Sequence, residues 1–226
     1  MVAKFENINK TFCTSAGTFN WDEETCINLN KGEILLITGK SEYSKKTLLT
    51  LMGCLINPNE GILEINGKNI NLSCYEEMVL IKSQTIGFVF HQHNLLESIN
   101  AEENVAYPLK FQNSKSDEIR QRTTEALKMV EMYEQRKKMP KQLSKLEKQK
   151  TLIARALVSN PLIIVCDRPT AFLDRQEAEF VMEKLKELAK LGKTIVILNH
   201  DSRFNEYANR AVEVKNGIVN ELILLQ

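Results

Sequence analysis

Four short runs rich in β-branched and aromatic residues lie at residues 2–7, around 18–28, at 33–38 and at 61–66. Turn residues separate them, and they predict a β-rich beginning. Between the last two, Leu48, Leu49, Met52 and Leu55 recur at helical spacing and predict a helix over residues 45–55, closed by Pro58 and Gly61. The middle of the chain changes period. Residues 84–90 read as a strand, 100–109 as a short helix with Asn100 as N-cap, and 116–132 as a longer helix with Ile119, Thr123, Leu127 and Val130 on one face. A helix over 144–159, an apolar strand over 162–167, a helix over 175–191 ended by Gly192, and an apolar strand over 194–199 reaching His200 complete this stretch. Such alternation implies buried parallel strands with crossover helices, hence an α/β fold. Residues 211–225, centred on Asn216-Gly217, carry the strongest hairpin signal in the chain.

Composition narrows the class without naming it. With 226 residues, 43% hydrophobic and 26% charged, the chain can bury a core, and neither disorder nor a membrane-embedded chain fits. A net charge of +1 gives no polycationic steering, so no nucleic-acid partner is expected. The five cysteines Cys13, Cys26, Cys54, Cys74 and Cys166 contain no C-x-x-C pair and read as reduced, mostly buried thiols. No apolar run approaches the ~18 residues that cross a bilayer, and the first residues lack the apolar stretch of a signal peptide. Work at a membrane would therefore mean docking onto a protein that spans it. His91 and His93 form an H-x-H pair without a nearby third ligand and read as a solvated loop, and Arg136, Lys137, Lys138, Lys141 and Lys145 read as a solvated face. Trp21 and Tyr107 read as packing.

After the strand at 33–38 comes Gly39-Lys-Ser-Glu-Tyr-Ser-Lys-Lys-Thr47. A phosphate-binding loop has the form G-x-x-x-x-G-K-[ST]; here Gly39 and Lys45 keep the register, while Ser44 takes the second glycine's place and Lys46 the hydroxyl's. Downstream follow GFVFHQHNLL, EENVAYPL, QLSKLEKQKTLIARAL, LIIVCDRPTAFLD and TIVILNHD. In their order and spacing these segments resemble the ATP-binding-cassette (ABC) ATPases along essentially the whole chain. FVFHQHNLL and EENVAYPL are most similar to the branch containing LolD, MacB and FtsE, whose members drive lipoprotein release, macrolide or peptide export, and cell-wall remodelling at division.

The resemblance implies a P-loop NTPase (RecA-like) ABC cassette with an N-terminal antiparallel β subdomain and a helical subdomain. Residues 1–91 and 161–226 would form the β subdomain and core, and residues 92–160 the helical subdomain, within one nucleotide-binding domain. It also assigns roles. Gly39, Ser41, Glu42, Ser44, Lys45, Lys46 and Thr47 would line the phosphates, with Lys45 as the phosphate-binding lysine. Phe12 would stack on adenine, Asp167 would be the strand-end aspartate of the magnesium site, Asp174 the D-loop aspartate, and His200 the switch histidine.

Other positions depart from the family pattern. Glu42 places a carboxylate beside a polyphosphate, a repulsion of about 1 to 4 kcal/mol per charge pair at ~4 Å. Lys46 has no lone pair for a metal, so magnesium should bind poorly. Arg168 occupies the position of the catalytic glutamate and cannot accept a proton near neutral pH. His91 replaces the glutamine of the Q-loop, with Gln92 adjacent, and the LSGGQ signature becomes Leu143-Ser-Lys-Leu-Glu147, keeping Ser144 but neither glycine.

Hydrolysis needs base, metal and signature together, so the residues imply a catalytically silent cassette. Two expectations for nucleotide follow. Either Lys45, Lys46 and Arg168 substitute for the metal's charge and hold ATP or ADP weakly, or Glu42 pairs internally with Lys45 or Lys46 and the pocket stays closed. Three function classes compete: a structural or regulatory subunit, on the cytoplasmic face, docked through residues 91–109 onto a permease resembling FtsX/MacB and paired with a second ABC subunit; a slow ATPase powering lipoprotein, peptide or drug transport; and a soluble binding module freed from transport.

Overall fold

The computed structural model describes the chain apart from residues 15–16, 71–74, 91–93, 113, 200, 216–217 and 223–226, and apart from the side chains of residues 11–14, 17–25, 75 and 202. Two long strands open it, β1 (Ala3–Thr14) and β2 (Gly17–Leu29), antiparallel to each other. With β4 (Glu60–Ile65) and the short β5 (Lys68–Asn69) they form an antiparallel sheet in the order β2-β1-β4-β5. The second sheet runs β10-β9-β3-β8-β7-β6 and is built from β3 (Ile34–Thr38), β6 (Ile86–Phe90), β7 (Ile163–Asp167), β8 (Thr194–Leu198), β9 (Arg210–Lys215) and β10 (Ile218–Leu222). Its strands pair in parallel from β9 to β6, and only β10 runs against its neighbour. The parallel strands are those the alternating pattern implies, and β10 makes the sheet mixed.

The central strands are mostly apolar and buried along almost their whole length because both faces are covered. On β3, Ile34 and Leu36 enter one core while Leu35 and Ile37 enter another, and β7 and β8 divide their side chains the same way. The period of two residues along a strand makes this division automatic. One core holds α3 (Ala101–Ala106), α4 (Ser116–Met129), α5 (Lys145–Leu157) and α6 (Arg175–Lys190); the other holds α1 (Glu42–Met52) and the inner face of the antiparallel sheet. The helix α2 (Tyr75–Thr85) precedes β6. Buried Cys54 and Cys166 are free thiols, and burial pushes the Cys54 thiol up to about 12; Cys26 is exposed, while the Cys13 and Cys74 side chains lie outside the described residues.

Several boundaries differ from expectation. The first helix spans Glu42–Met52 rather than residues 45–55, because Ser41 caps its start and the backbone turns left-handed at Cys54. There the Leu55 N–H reaches Thr50 O at 2.9 Å and the Cys54 N–H reaches Leu51 O at 2.9 Å, a Schellman closure that leaves Leu55 outside the helix and exposed. The helix expected to reach residue 132 ends at Met129 by the same device, with Glu131 at φ 58° and the Met132 N–H on Leu127 O. Residues 84–85 are the end of α2, not the start of a strand. Asn100 does cap α3, in a reciprocal box with Glu103, and a 3₁₀ turn over Tyr107–Phe111 continues it. Tyr107 is not core packing: it is 38% exposed and meets the ring of Phe111, itself 73% exposed, edge-on at 5.3 Å. The hairpin tip at Asn216-Gly217 and the Trp21 side chain lie outside the described residues.

Candidate functional site

The site begins where β3 leaves the sheet. Gly39 takes φ +136°, and a Cβ there would lie 2.3 Å from Val214 O on β9, so only glycine lets the turn pass. Two residues on, Ser41 adopts an extended backbone and its Oγ accepts the Ser44 N–H at 3.2 Å. Ser44, in the second glycine's place, is buried and donates its own hydroxyl back to Ser41 Oγ at 3.0 Å. The Lys45 N–H closes the first turn of α1 onto Ser41 O at 3.1 Å. A strand, a turn that admits only glycine and a helix opening on a buried lysine are the frame of a phosphate-binding loop.

The charges inside that frame form a chain. Lys45 is 1% exposed, and its Nζ meets Glu42 Oε1 at 2.7 Å. The other oxygen, Glu42 Oε2, meets Arg168 Nη2 at 3.1 Å, and Arg168 Nε stands 3.7 Å from Asp167 Oδ1 at the end of β7. Cation and anion alternate from Lys45 through Glu42 and Arg168 to Asp167. A lysine this deep needs an anionic partner, and Glu42 supplies one from three residues earlier, at the start of the same helix. Of the two internal pairings open in the sequence, the structure has the one with Lys45; Lys46 is exposed and points away from the core that buries its neighbours. Arg168 holds φ 48°, with its N–H on Leu198 O at 2.9 Å, a left-handed backbone that costs about 1 kcal/mol for a residue with a side chain.

A magnesium ion does not fit these donors. Asp167 offers one buried carboxylate, already faced by a guanidinium, and the hydroxyl position carries an ammonium. Among the described residues no group of three or more His, Cys, Asp or Glu could hold a metal. Thr47 is buried on α1.

Two of the remaining expected residues, Ser144 and Asp174, are capping groups. Ser144 caps α5: its Oγ accepts the Glu147 N–H at 3.1 Å while Glu147 Oε2 accepts the Ser144 N–H at 2.7 Å. Burial would raise the Glu147 carboxyl, but Lys138 at 2.7 Å and the Ser144 N–H outweigh it and hold it below its ordinary value. Arg136 and Lys137 are likewise engaged, both with Glu102, so much of the basic cluster is ion-paired. Asp174 caps α6 in a matching box with Glu177. His91, Gln92 and His200, with the Phe12 side chain, lie outside the described residues. Sequence reasoning missed Phe172, between Arg168 and Asp174, which is 66% exposed at φ 67°; only its apolar character in a turn signalled it.

Loop, sheet and helices together define a P-loop α/β protein. The family model for ABC transporters matches residues 23–171. The ABC transporter ATP-binding protein MJ0796 of Methanocaldococcus jannaschii is 37% identical over 221 residues, covering 96% of this chain and 94% of that protein. The lipoprotein-releasing system ATP-binding protein LolD of Buchnera aphidicola is 33% identical over 93% of both. The macrolide export ATP-binding/permease protein MacB of Mannheimia succiniciproducens is 33% identical over 96% of this chain, which spans only 34% of MacB. Among solved structures, the MJ0796 dimer bound to ADP and phosphate superposes with a TM-score of 0.86 at 35% identity, covering 99% of this chain and all of that one. The chain belongs to the ABC transporter family, as an ATP-binding cassette.

Proposed function

We propose that this cassette is a structural or regulatory subunit with little or no ATP hydrolysis, paired with a second ABC subunit and docked on the cytoplasmic face of a membrane onto a permease of the FtsX/MacB type. One observation carries the reading: the position of the attacking water's base is held by Arg168, tied to Asp167 and Glu42. A guanidinium cannot accept the proton that hydrolysis must remove. Losing such a base commonly costs orders of magnitude in rate.

Docking has support from the surface. Phe88, Phe90, Pro108, Arg155 and Ala156 line a groove of about 210 Å³ beside the exposed Tyr107 and Phe111. It adjoins the region where the family resemblance places a helix of the membrane partner. Among the described residues no helix is long and apolar enough to cross a membrane. Residues 92–160 would act as the helical lobe against a core of residues 1–91 and 161–226. The names of LolD and MacB, a lipoprotein-releasing system and a macrolide exporter, favour a transport complex as the setting.

The test is phosphate release by the purified chain with ATP and magnesium, together with purification of the tagged chain from membranes. Release at background and co-purification of a permease are expected. Release that disappears on Asp167→Asn would make the chain a slow ATPase instead, and failure to bring down any membrane protein would point to a soluble module.

A further inference from the structure

We propose that Glu42 is a tethered counter-anion lying where a nucleotide's phosphates would go, and that Lys45 and Arg168 form a metal-independent polyphosphate seat which opens when Glu42 leaves. This deepens the reading of the same site as a non-hydrolysing cassette, adding a ligand class and a gate. Three features argue for it.

First, the two cations are bridged by the two oxygens of one carboxylate, Lys45 at 2.7 Å from Oε1 and Arg168 at 3.1 Å from Oε2. A phosphoryl group offers the same bridging arrangement of oxygens, with more charge. Second, the carboxylate is the movable member. The Glu42 side chain is 52% exposed on the first turn of α1, whereas Lys45 is 1% exposed and held in the core. Third, of the charged chain described above, removing Glu42 leaves two cations, Lys45 and Arg168, and one anion, Asp167, an excess of cation at a helix N-terminus, which favours an anion. Arg168 takes the place beside Asp167 that a divalent ion would need, so the charge that metal normally brings is already covalent.

The experiment is calorimetric binding in EDTA of ATP and, separately, inorganic tripolyphosphate to the full chain, to Glu42→Gln and to the double variant Glu42→Gln/Arg168→Ala. Glu42→Gln should bind about tenfold tighter than the unaltered chain, as removal of one competing charge from a partly exposed seat implies. The gain should persist unchanged on adding magnesium and vanish in the double variant. A gain with both ligands assigns the seat to the phosphate chain alone; a gain with ATP only assigns it to nucleotide. Equal binding by the unaltered and Glu42→Gln chains, a gain that needs magnesium, or one that survives Arg168→Ala would overturn the proposal. Glu42→Ser, which keeps a good helix-start residue, carries the same comparison should the glutamine variant not fold. Binding in EDTA does not enter the phosphate-release or co-purification tests, so the two readings can fail separately.

Discussion

Arg168 is held by its neighbours as much as it replaces a missing base. Its guanidinium neutralises Glu42 and faces Asp167, so the substitution that would restore a glutamate creates a cluster of three carboxylates. Arg168→Glu alone should leave phosphate release at background and lower stability by about 1 kcal/mol, the scale of a partly exposed ion pair turned into repulsion. Urea unfolding and a phosphate assay check the two parts. Turnover restored by that single change would mean that Glu42 and Lys46 do not obstruct the site. At this scale the sequence was informative about identity and silent about partners. The family resemblance placed Lys45, Asp167 and Arg168 in one site, yet left open whether Glu42 pairs with Lys45 or Lys46. The choice falls to Lys45 because the helix buries that lysine and exposes the next.

Helices here are terminated by backbone geometry more than by side-chain periodicity. Apolar spacing predicts α1 and α4 running on to residues 55 and 132, but Cys54 and Glu131 turn left-handed and close both ends three residues sooner. Neither is a glycine, so no composition signal marked the stop. The helix α2 escaped notice because Met78, Val79, Leu80 and Ile81 are consecutive and give no stripe; Ile81 is buried while Val79 and Leu80 are exposed. Among the N-termini, Asn100 was legible as a cap; Ser144 and Asp174 are likewise followed three residues later by glutamate, and all three close reciprocal boxes. Ser144 thereby has a structural task whatever its role toward a nucleotide. Ser144→Ala should cost about 1 kcal/mol of stability by chemical unfolding, as loss of an N-cap does. An unchanged unfolding midpoint would show that α5 is held by its buried face alone.

Between the two cores, the sheet separates the phosphate loop from the helical region that carries Tyr107 and Phe111. A change at Phe111, 73% exposed, should therefore affect docking without touching the loop or the fold. Phe111→Asp is expected to reduce co-purification of a permease several-fold, as loss of a contact aromatic does, while the melting temperature stays within about 2 °C. Equal recovery of the partner would move the docking surface elsewhere. The α/β class and the parallel strands were legible because buried strands between amphipathic helices leave few other arrangements. The order in which the strands lie was not, since it rests on pairings between distant parts of the chain.

Those distant pairings have a consequence for how the protein is made. Strand β3, which launches the phosphate loop, finds both of its neighbours only in β8 and β9, and the turn at Gly39 rests against Val214. A ribosome delivers the loop's own residues well before the wall they lean on. During synthesis the nucleotide pocket must wait, unformed, for those later strands.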